Sequence, residues 1–382
     1  MTKFKTTLLA MAVSAAAFSV QAAQVSLYGS VSTGVLYQNQ ASLSGGKEPQ
    51  ESKDSFTMES GFWGDSIWGI TGEEDLGNGW TVGFTLENEF GSDTGEMAGA
   101  DPEGSVLFDS QAYLRIGNDK VNFAFGNIGG LASAGGDFDL LCAFDPMEAF
   151  VGVAGLGAFA SKDFASGNMA VVEVTPMEGF KVSLMGNTGD DDSNANWSDR
   201  DHYYGLGVSY ENGPLALAAI AEMRKYDKVA ERNNLSDNDD SWTFTVAAAY
   251  DFEVIRPSFV YQHASKTREF AASEVSSGGA YNFDSFMLGA TAPLGQGTLR
   301  ASVQYVKGEN DAVSDEEGSA TILGLAYTYD MSKRTTLYGA AFYSVGGDGL
   351  DKDLGANDTE FGLMGRADYN SVGFGVGLVH TF

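Results

Sequence analysis

The stretch "SWTFTVAAAYDF" puts Trp242, Phe244, Val246, Ala248, Tyr250 and Phe252 on one side of an extended chain and Thr243, Thr245, Ala247, Ala249 and Asp251 on the other. Side chains two positions apart share a face only in a β-strand, so the spacing dictates a strand with one apolar side. The alternation recurs along the chain. "WTVGFTLENEF" sets Val82, Phe84, Leu86 and Phe90 opposite Thr81, Gly83, Thr85, Glu87 and Glu89, and "TLRASVQYVK" sets Leu299, Ala301, Val303 and Tyr305 opposite Arg300, Ser302 and Gln304. It also runs through "SVGFGVGLVHTF", where Phe374, Val376, Leu378, His380 and Phe382 share a register against Gly373, Gly375, Gly377, Val379 and Thr381. A frayed end would gain nothing from that pattern.

A soluble sandwich would read the same over any one strand, so the connections have to discriminate. They alternate in length. Short ones are "EEDLGNG" (73–79), "GNDK" (117–120), "PMEG" (176–179), "ENGP" (211–214), "DFEV" (251–254), "PLGQG" (293–297) and "DMSKR" (330–334). Long polar stretches fall between them, at 39–60, 92–106, 128–166, 189–200, 226–240, 267–280, 309–318 and 346–370. Tight turns at one rim and long loops at the other mark an outer-membrane barrel. Eight long and seven short connections predict an all-β, 16-stranded antiparallel transmembrane β-barrel. The segment 358–369 could pass for another strand, but single-chain bacterial barrels are even-numbered, so it is assigned to the last loop. Closure would pair the last strand with "QVSLYGSVSTGVLY" (24–37), leaving its apolar face in hydrocarbon and Phe382 at the interface.

Lys3 and Lys5 precede an apolar run from Leu8 to Val20 that ends in Val20-Gln21-Ala22. That is the form of a secretory signal peptide, expected over residues 1–22, with the barrel over 23–382. The run is shorter than the roughly 20 residues of a spanning helix. Losing the two leader lysines takes the net charge from −30 to −32, which excludes a nucleic-acid partner. Cys142 is the only cysteine, so no internal disulfide can form.

Together, "VSLYGSVSTGV", "GEEDLGNGW", "QAYLRIG", "YGLGVSYENGPLALAA", "YDMSKRTTLYG" and the final "VGLVHTF" resemble the trimeric general diffusion porins of Gram-negative outer membranes, over essentially all of residues 23–382. The resemblance implies a homotrimer, a third loop folded inward to narrow each pore, and contact with outer-membrane lipid and lipopolysaccharide. It also implies that Phe382, with His380 and Leu378 in the same register, is the assembly signal read by the barrel-insertion machinery. The departures concern charge. Where family members carry arginines facing the third loop, this chain has Ile67, Ser110, Asn127 and Val171, and "GLVH" has Val379 for a further one.

The inward loop, 128–166, holds Asp137, Asp139, Asp145, Glu148 and Asp163 against Lys162 alone, and Glu87 and Glu89 share the inward register of their strand. The expected constriction is therefore Asp137, Asp139, Asp145, Glu148, Glu87 and Glu89 with Arg300. Lys181, Arg224 and Arg256 are the other inward cations. A low-dielectric wall focuses such charges, so the expectation is a water-filled channel for small hydrophilic solutes and ions that prefers cations. Two other readings stay open: a solute-specific channel using Phe138, Phe144, Phe150, Phe159 and Phe164, and a structural or adhesive barrel. The long loops hold 35 of 52 acidic residues, which fits a soluble rim or divalent-cation bridges to lipopolysaccharide, although no run has complete calcium-loop spacing. No nucleophile, general base and orienting partner come together, so no enzyme, cofactor or resident metal is expected. His263 and His380 fall in the outward register, and Cys142 is expected to be a small buried residue. The terminal register yields a test: deleting Phe382 should lower outer-membrane levels on a heat-modifiability gel far more than trimming a long loop, and unchanged levels would refute it.

Overall fold

The computed structural model describes residues 24–40, 53–97, 100–101, 104–133, 135–148, 154–156, 165–189, 197, 200–225, 240–267, 269–270, 273–274, 281–310, 317–346 and 371–382. One antiparallel sheet contains β1 (Gln24–Gln40), β2 (Lys53–Ser60), β3 (Ile67–Gly77), β4 (Trp80–Glu89), β5 (Gln111–Gly117), β6 (Val121–Gly129), β7 (Ala165–Met177), β8 (Phe180–Asn187), β9 (His202–Asn212), β10 (Leu215–Lys225), β11 (Ser241–Tyr250), β12 (Arg256–Thr267), β13 (Tyr281–Leu294), β14 (Gly297–Asn310), β15 (Glu317–Ser332), β16 (Thr335–Gly346) and β17 (Ser371–Thr381). Each strand pairs with its sequence neighbour, and β17 pairs with β1 from Ser30↔Thr381 to Gln40↔Ser371. The sheet is closed. On its other edge β1 meets β2 over Thr33–Gln40 and β3 over Gln24–Ser30, so β2 and β3 are two halves of one barrel position. Seventeen segments thus make sixteen positions.

The split position corrects one sequence boundary. Residues 53–60 are strand, not loop, because Phe56 and Met58 alternate outward with Ser55, Thr57 and Glu59. Two apolar residues among polar ones are too weak a pattern to register alone. The break follows from Gly61 and Gly64, which take the left-handed φ values of 67° and 72° that other residues resist. It folds Phe62 and Trp63 into the barrel, where they are 2 % and 5 % exposed. The segment 358–369 lies outside the described residues, as does the expected leader.

A band of outward residues is apolar: Leu27, Leu114, Phe125, Leu184, Leu206, Phe244, Leu288, Leu325 and Val376 are all exposed. No helix among the described residues is long and apolar enough to cross a membrane, so the strands carry the apolar surface. Phe374, Val376, Leu378, His380 and Phe382 all face out, as their register requires.

Their glycine partners receive aromatic rings inside. Phe342 lies over Gly373, Phe62 over Gly375 and Tyr338 over Gly377. A Cβ on Gly375 would come within 2.6 Å of the Phe62 ring. Trp63 stacks on Tyr338 with centroids 5.5 Å apart, and Phe62 meets Tyr338 edge-on at 5.3 Å. The inner side of β15–β17 is therefore a packed aromatic core rather than open lumen.

Elsewhere on the inner wall, described residues of the segment after β6 pack against bare backbone. Leu131 and Leu140 pack on the bare backbone of Gly205 and Gly207 in β9, Pro146 on Gly289 in β13, and Met147 with Ala154 on Gly324 in β15. Phe138, Leu141, Phe144, Met147 and Leu156 are each under 5 % exposed. The described residues 131–147 of this segment thus pack against the inner wall. Replacing Gly377 with Val would drive a side chain into the Tyr338 hydroxyl and the Thr33 carbonyl beside the β1–β17 seam. The expected cost is about 1–3 kcal/mol, seen as a lower midpoint for urea unfolding in micelles.

Candidate pore constriction

Glu87 sits mid-strand on the inner face of β4 and is 6 % exposed. Tyr28 Oη donates to its Oε2 at 2.8 Å, and Ser110 Oγ and Gln111 Nε2 donate to Oε1 at 2.5 and 3.3 Å. Gln111 turns its other end to the loop, where its Oε1 accepts from the Asp137 N–H at 3.0 Å. The Asp137 carboxylate accepts from Tyr113 Oη, which itself accepts from Thr85 Oγ1 at 3.1 Å. Glu87, Gln111, Tyr113 and Asp137 therefore form one continuous network joining the wall of β4 and β5 to the loop. Every side-chain donor to its two carboxylates is neutral.

The other expected carboxylates have different employment. Asp139 Oδ2 accepts from the Leu141 and Cys142 N–H groups at 2.9 and 2.6 Å, opening the 3₁₀ turn Cys142–Phe144. Asp145 accepts from the N–H of Met147 at 2.8 Å and of Leu156 at 3.2 Å, tying two passes of the loop together. Glu148 is exposed and accepts from Arg300 Nη1 at 3.0 Å. Arg300 reaches in from β14, also donates to the Pro146 carbonyl at 3.1 Å, and lies 5.6 Å from the centre of the Trp63 ring. Glu89 is at the long-loop end of β4, where its backbone N–H donates to Asp109.

Positions where the resemblance would place arginine are neutral for distinct reasons. Ile67 shares the inner register of Gly69 and Glu73. Ser110 is a donor to Glu87, and Asn127 Nδ2 donates to the Asp109 carbonyl at 3.0 Å. Val171 is fully buried in the core beneath the loop, so that position is packing rather than lumen surface.

Pattern reading missed a second anchor. Glu222 in β10 is 2 % exposed and accepts from Tyr203 Oη at 2.6 Å, Thr243 Oγ1 at 3.0 Å and the Ala132 N–H at 3.3 Å. Tyr203 Oη in turn accepts from the Leu131 N–H at 3.2 Å. The available signal was its place in the inward register after Ala216, Ala218 and Ile220, where a carboxylate needs a partner. Nearer the short-turn rim, Arg115 pairs with Glu73 at 2.6 Å and Lys181 with Glu173 at 3.0 Å. Arg115, Lys181 and Glu173 line a recess of about 350 Å³ with Lys120, Asn122 and Thr81. Lys181, like Arg300, therefore meets a carboxylate, and Arg224 and Arg256 lie further round the wall in β10 and β12.

A model of the Gram-negative porin family matches residues 6–349. The chain belongs to that family. An outer membrane porin protein of Bordetella pertussis is 26 % identical over 99 % of this chain and all of its own length. Outer membrane porin protein 32 of Delftia acidovorans is 28 % identical with the same coverage. Among solved structures, an anion-selective porin from Comamonas acidovorans superposes with a TM-score of 0.68 at 23 % identity, covering 94 % of this chain and all of that one. This protein is accordingly an outer-membrane porin, a channel-forming barrel.

Cys142 corrects the expectation of a buried residue: it is exposed to the lumen, at the start of the 3₁₀ turn. The turn presents it because Leu141 and Phe144 on either side take the buried positions. Enclosure by the barrel, and then the carboxylates of Asp139, Asp145 and Glu148, push its thiol well above the ordinary range. A raised value favours the thiol, so the reactive thiolate should be scarce until the pH climbs past that of a free cysteine. A small neutral maleimide at pH 8.5, where a free thiol is about half ionised, should modify Cys142 more than about tenfold slower than free cysteine. The rate should still be rising at pH 10; a plateau by pH 9 would contradict the assignment.

Proposed function

We propose that this porin passes small hydrophilic solutes and ions by passive diffusion and favours cations over anions. The observation that carries the reading is how the constriction's charges are partnered. Glu87 and Asp137 are held by hydroxyl, amide and backbone donors, none of them charged. Three inward cations, Arg115, Lys181 and Arg300, each meet a carboxylate of their own. The charge left over in the narrow region is negative.

The magnitude is sufficient. Unit charges 4 Å apart interact by about 4 kcal/mol at an effective dielectric near 20, so one uncompensated carboxylate biases which ion passes. Selectivity belongs to side chains rather than to the barrel, and at 23 % identity the anion-selective relative shares the fold alone. A solute-specific aromatic slide is the weaker reading, because Phe138 and Phe144 are buried against the wall. Phe150, Phe159 and Phe164 lie outside the described residues.

The same proposal includes export by the leader 1–22, insertion through the Phe382 register, assembly as a homotrimer among lipopolysaccharide, and no catalytic activity. The acidic external runs 190–192, 239–240 and 316–317 would add divalent-cation bridges at the rim, although residues 190–192, 239 and 316 lie outside the described residues.

Reversal potential across a KCl gradient tests the selectivity. K⁺ should be preferred at low salt, with the preference shrinking as ionic strength rises and screening shortens. Ile67→Arg combined with Ser110→Arg should move the potential toward anions by restoring positive charge opposite Asp137. A native channel that prefers Cl⁻ at low salt would overturn the reading and put Arg300 or Lys181 in control.

A further inference from the structure

Ladder register sets polar residues side by side on the inner wall close to the short turns. Directly opposed positions run Thr81, Gly117, Asn122, Glu173 and Ser183 across β4–β8. One inward row further from the turns come Gly83, Arg115, Ala124, Val171 and Met185. Ala124, Val171 and Met185 are buried in the core beneath the loop, and their sequence neighbours Leu114, Phe125, Val174 and Leu184 are exposed on the other face. Both rows therefore face inward. The recess of about 350 Å³ lies along the first row, between that core and the Asn118–Lys120 turn.

Two glycines make the hollow. A Cβ on Gly117 would stand 2.9 Å from Asn122 Oδ1, and one on Gly83 would stand 2.9 Å from Arg115 Nε. Bare backbone at both positions is what lets these polar groups lie against the wall. The turn beside them is fixed, because Asn118 Oδ1 accepts from the Lys120 and Val121 N–H groups at 2.9 and 3.0 Å.

The charges around the hollow fall into two sets. Glu173 is closed: it meets Lys181 Nζ at 3.0 Å, also accepts from Asn122 Nδ2 at 3.3 Å and Ser183 Oγ at 3.4 Å, and its side chain is only 11 % exposed. Glu73 likewise takes Arg115, but uses one of the five guanidinium N–H groups and leaves the others for a ligand. Asp119 and Lys120 are open. Both line the recess, both are exposed, and neither makes an ion pair among the described residues. One acidic and one basic group without partners, beside hydroxyl and amide side chains, complement a small molecule that carries both charges. We propose that this recess binds a single polar α-amino acid as its zwitterion. The carboxylate meets Lys120 and Arg115, the ammonium meets Asp119, and the polar side chain lies among Thr81, Asn122 and Thr175. A volume of about 350 Å³ is small for a ligand pocket, which sets the solute at one amino acid rather than a chain of several. The recess stands apart from Glu87, Asp137 and Arg300, so it serves whichever ion the constriction prefers.

Saturation-transfer NMR on the full-length porin folded in deuterated micelles measures binding without any current, so its outcome is separate from that of the selectivity reading. Glutamine should bind saturably. N-acetylglutamine, which lacks the ammonium, and glutaminamide, which lacks the carboxylate, should each bind about tenfold more weakly, the loss expected for one charge-assisted contact. Lys120→Gln should weaken glutamine about tenfold and leave glutaminamide unchanged, whereas Asp119→Asn should weaken glutamine and leave N-acetylglutamine unchanged. Lys120→Arg should retain binding. If either turn variant folds poorly, the three ligands on the wild type answer the question alone. Equal affinity for all three ligands, or unchanged glutamine affinity in both turn variants, would overturn the proposal. Affinity should fall as KCl rises, and a salt-independent value would overturn the charge pairing.

Discussion

A backbone N–H or C=O facing hydrocarbon has no water to bond, and each one left unpaired costs several kcal/mol. A sheet can satisfy that demand only by having no edge, and here the β1–β17 ladder of eleven opposed residues removes the last one. The outward alternation is useful only on a closed sheet, and the interior becomes a place where a loop can be held only because the wall is continuous. The glycines of β17 belong to the same constraint. The seam must be narrow enough for Phe342, Phe62 and Tyr338 to lie flat against it, so the residues between its lipid-facing side chains have to be bare.

Closure also explains the uneven use of carboxylates inside. A loop carried through a lumen exposes backbone N–H groups that no strand can pair. Asp139, Asp145 and Glu222 accept five of them directly: Leu141, Cys142, Met147, Leu156 and Ala132 N–H groups all end on these three side chains. Their charge is spent on architecture, since each of these carboxylates satisfies backbone N–H groups that would otherwise lack a partner. Glu87 and Asp137 stand at the loop's approach to the wall, where the donors are side chains that strand register has already fixed.

Much of this was legible in the sequence. Period two gave the faces, and alternating connection lengths gave the number of positions, because both are local properties of ten residues or fewer. The first strand boundary was not legible: residues 53–60 carry two apolar side chains, and the Gly61 and Gly64 break hides the continuation into β3. Nor could register alone separate Asp139, which opens a turn, from Asp137, which faces the network, since which oxygen meets which N–H is decided by loop packing. Val171 illustrates the same limit. The family resemblance placed it on the basic wall, whereas it lies under the loop, where an ion would have no water. Cys142 failed in the other direction, because a small apolar-leaning residue was assumed to seek the core while Leu141 and Phe144 took those positions instead.

The inner and outer faces share a method of placing charge. Inside, Glu148 of the loop meets Arg300 of the wall, and the backbone carbonyl of Pro146 completes the contact. Outside, Asp284 holds His263 between a tyrosine hydroxyl and a neighbouring strand's lysine. Outside, the ladder fixes the spacing of groups that would otherwise lose affinity to side-chain freedom, and inside it fixes Arg300. A strand cannot change one of these residues' faces without a one-residue slip that would turn every apolar side chain into the lumen. The lipid-facing surface therefore locks the geometry of the charges, inside and out, more firmly than any single hydrogen bond between them.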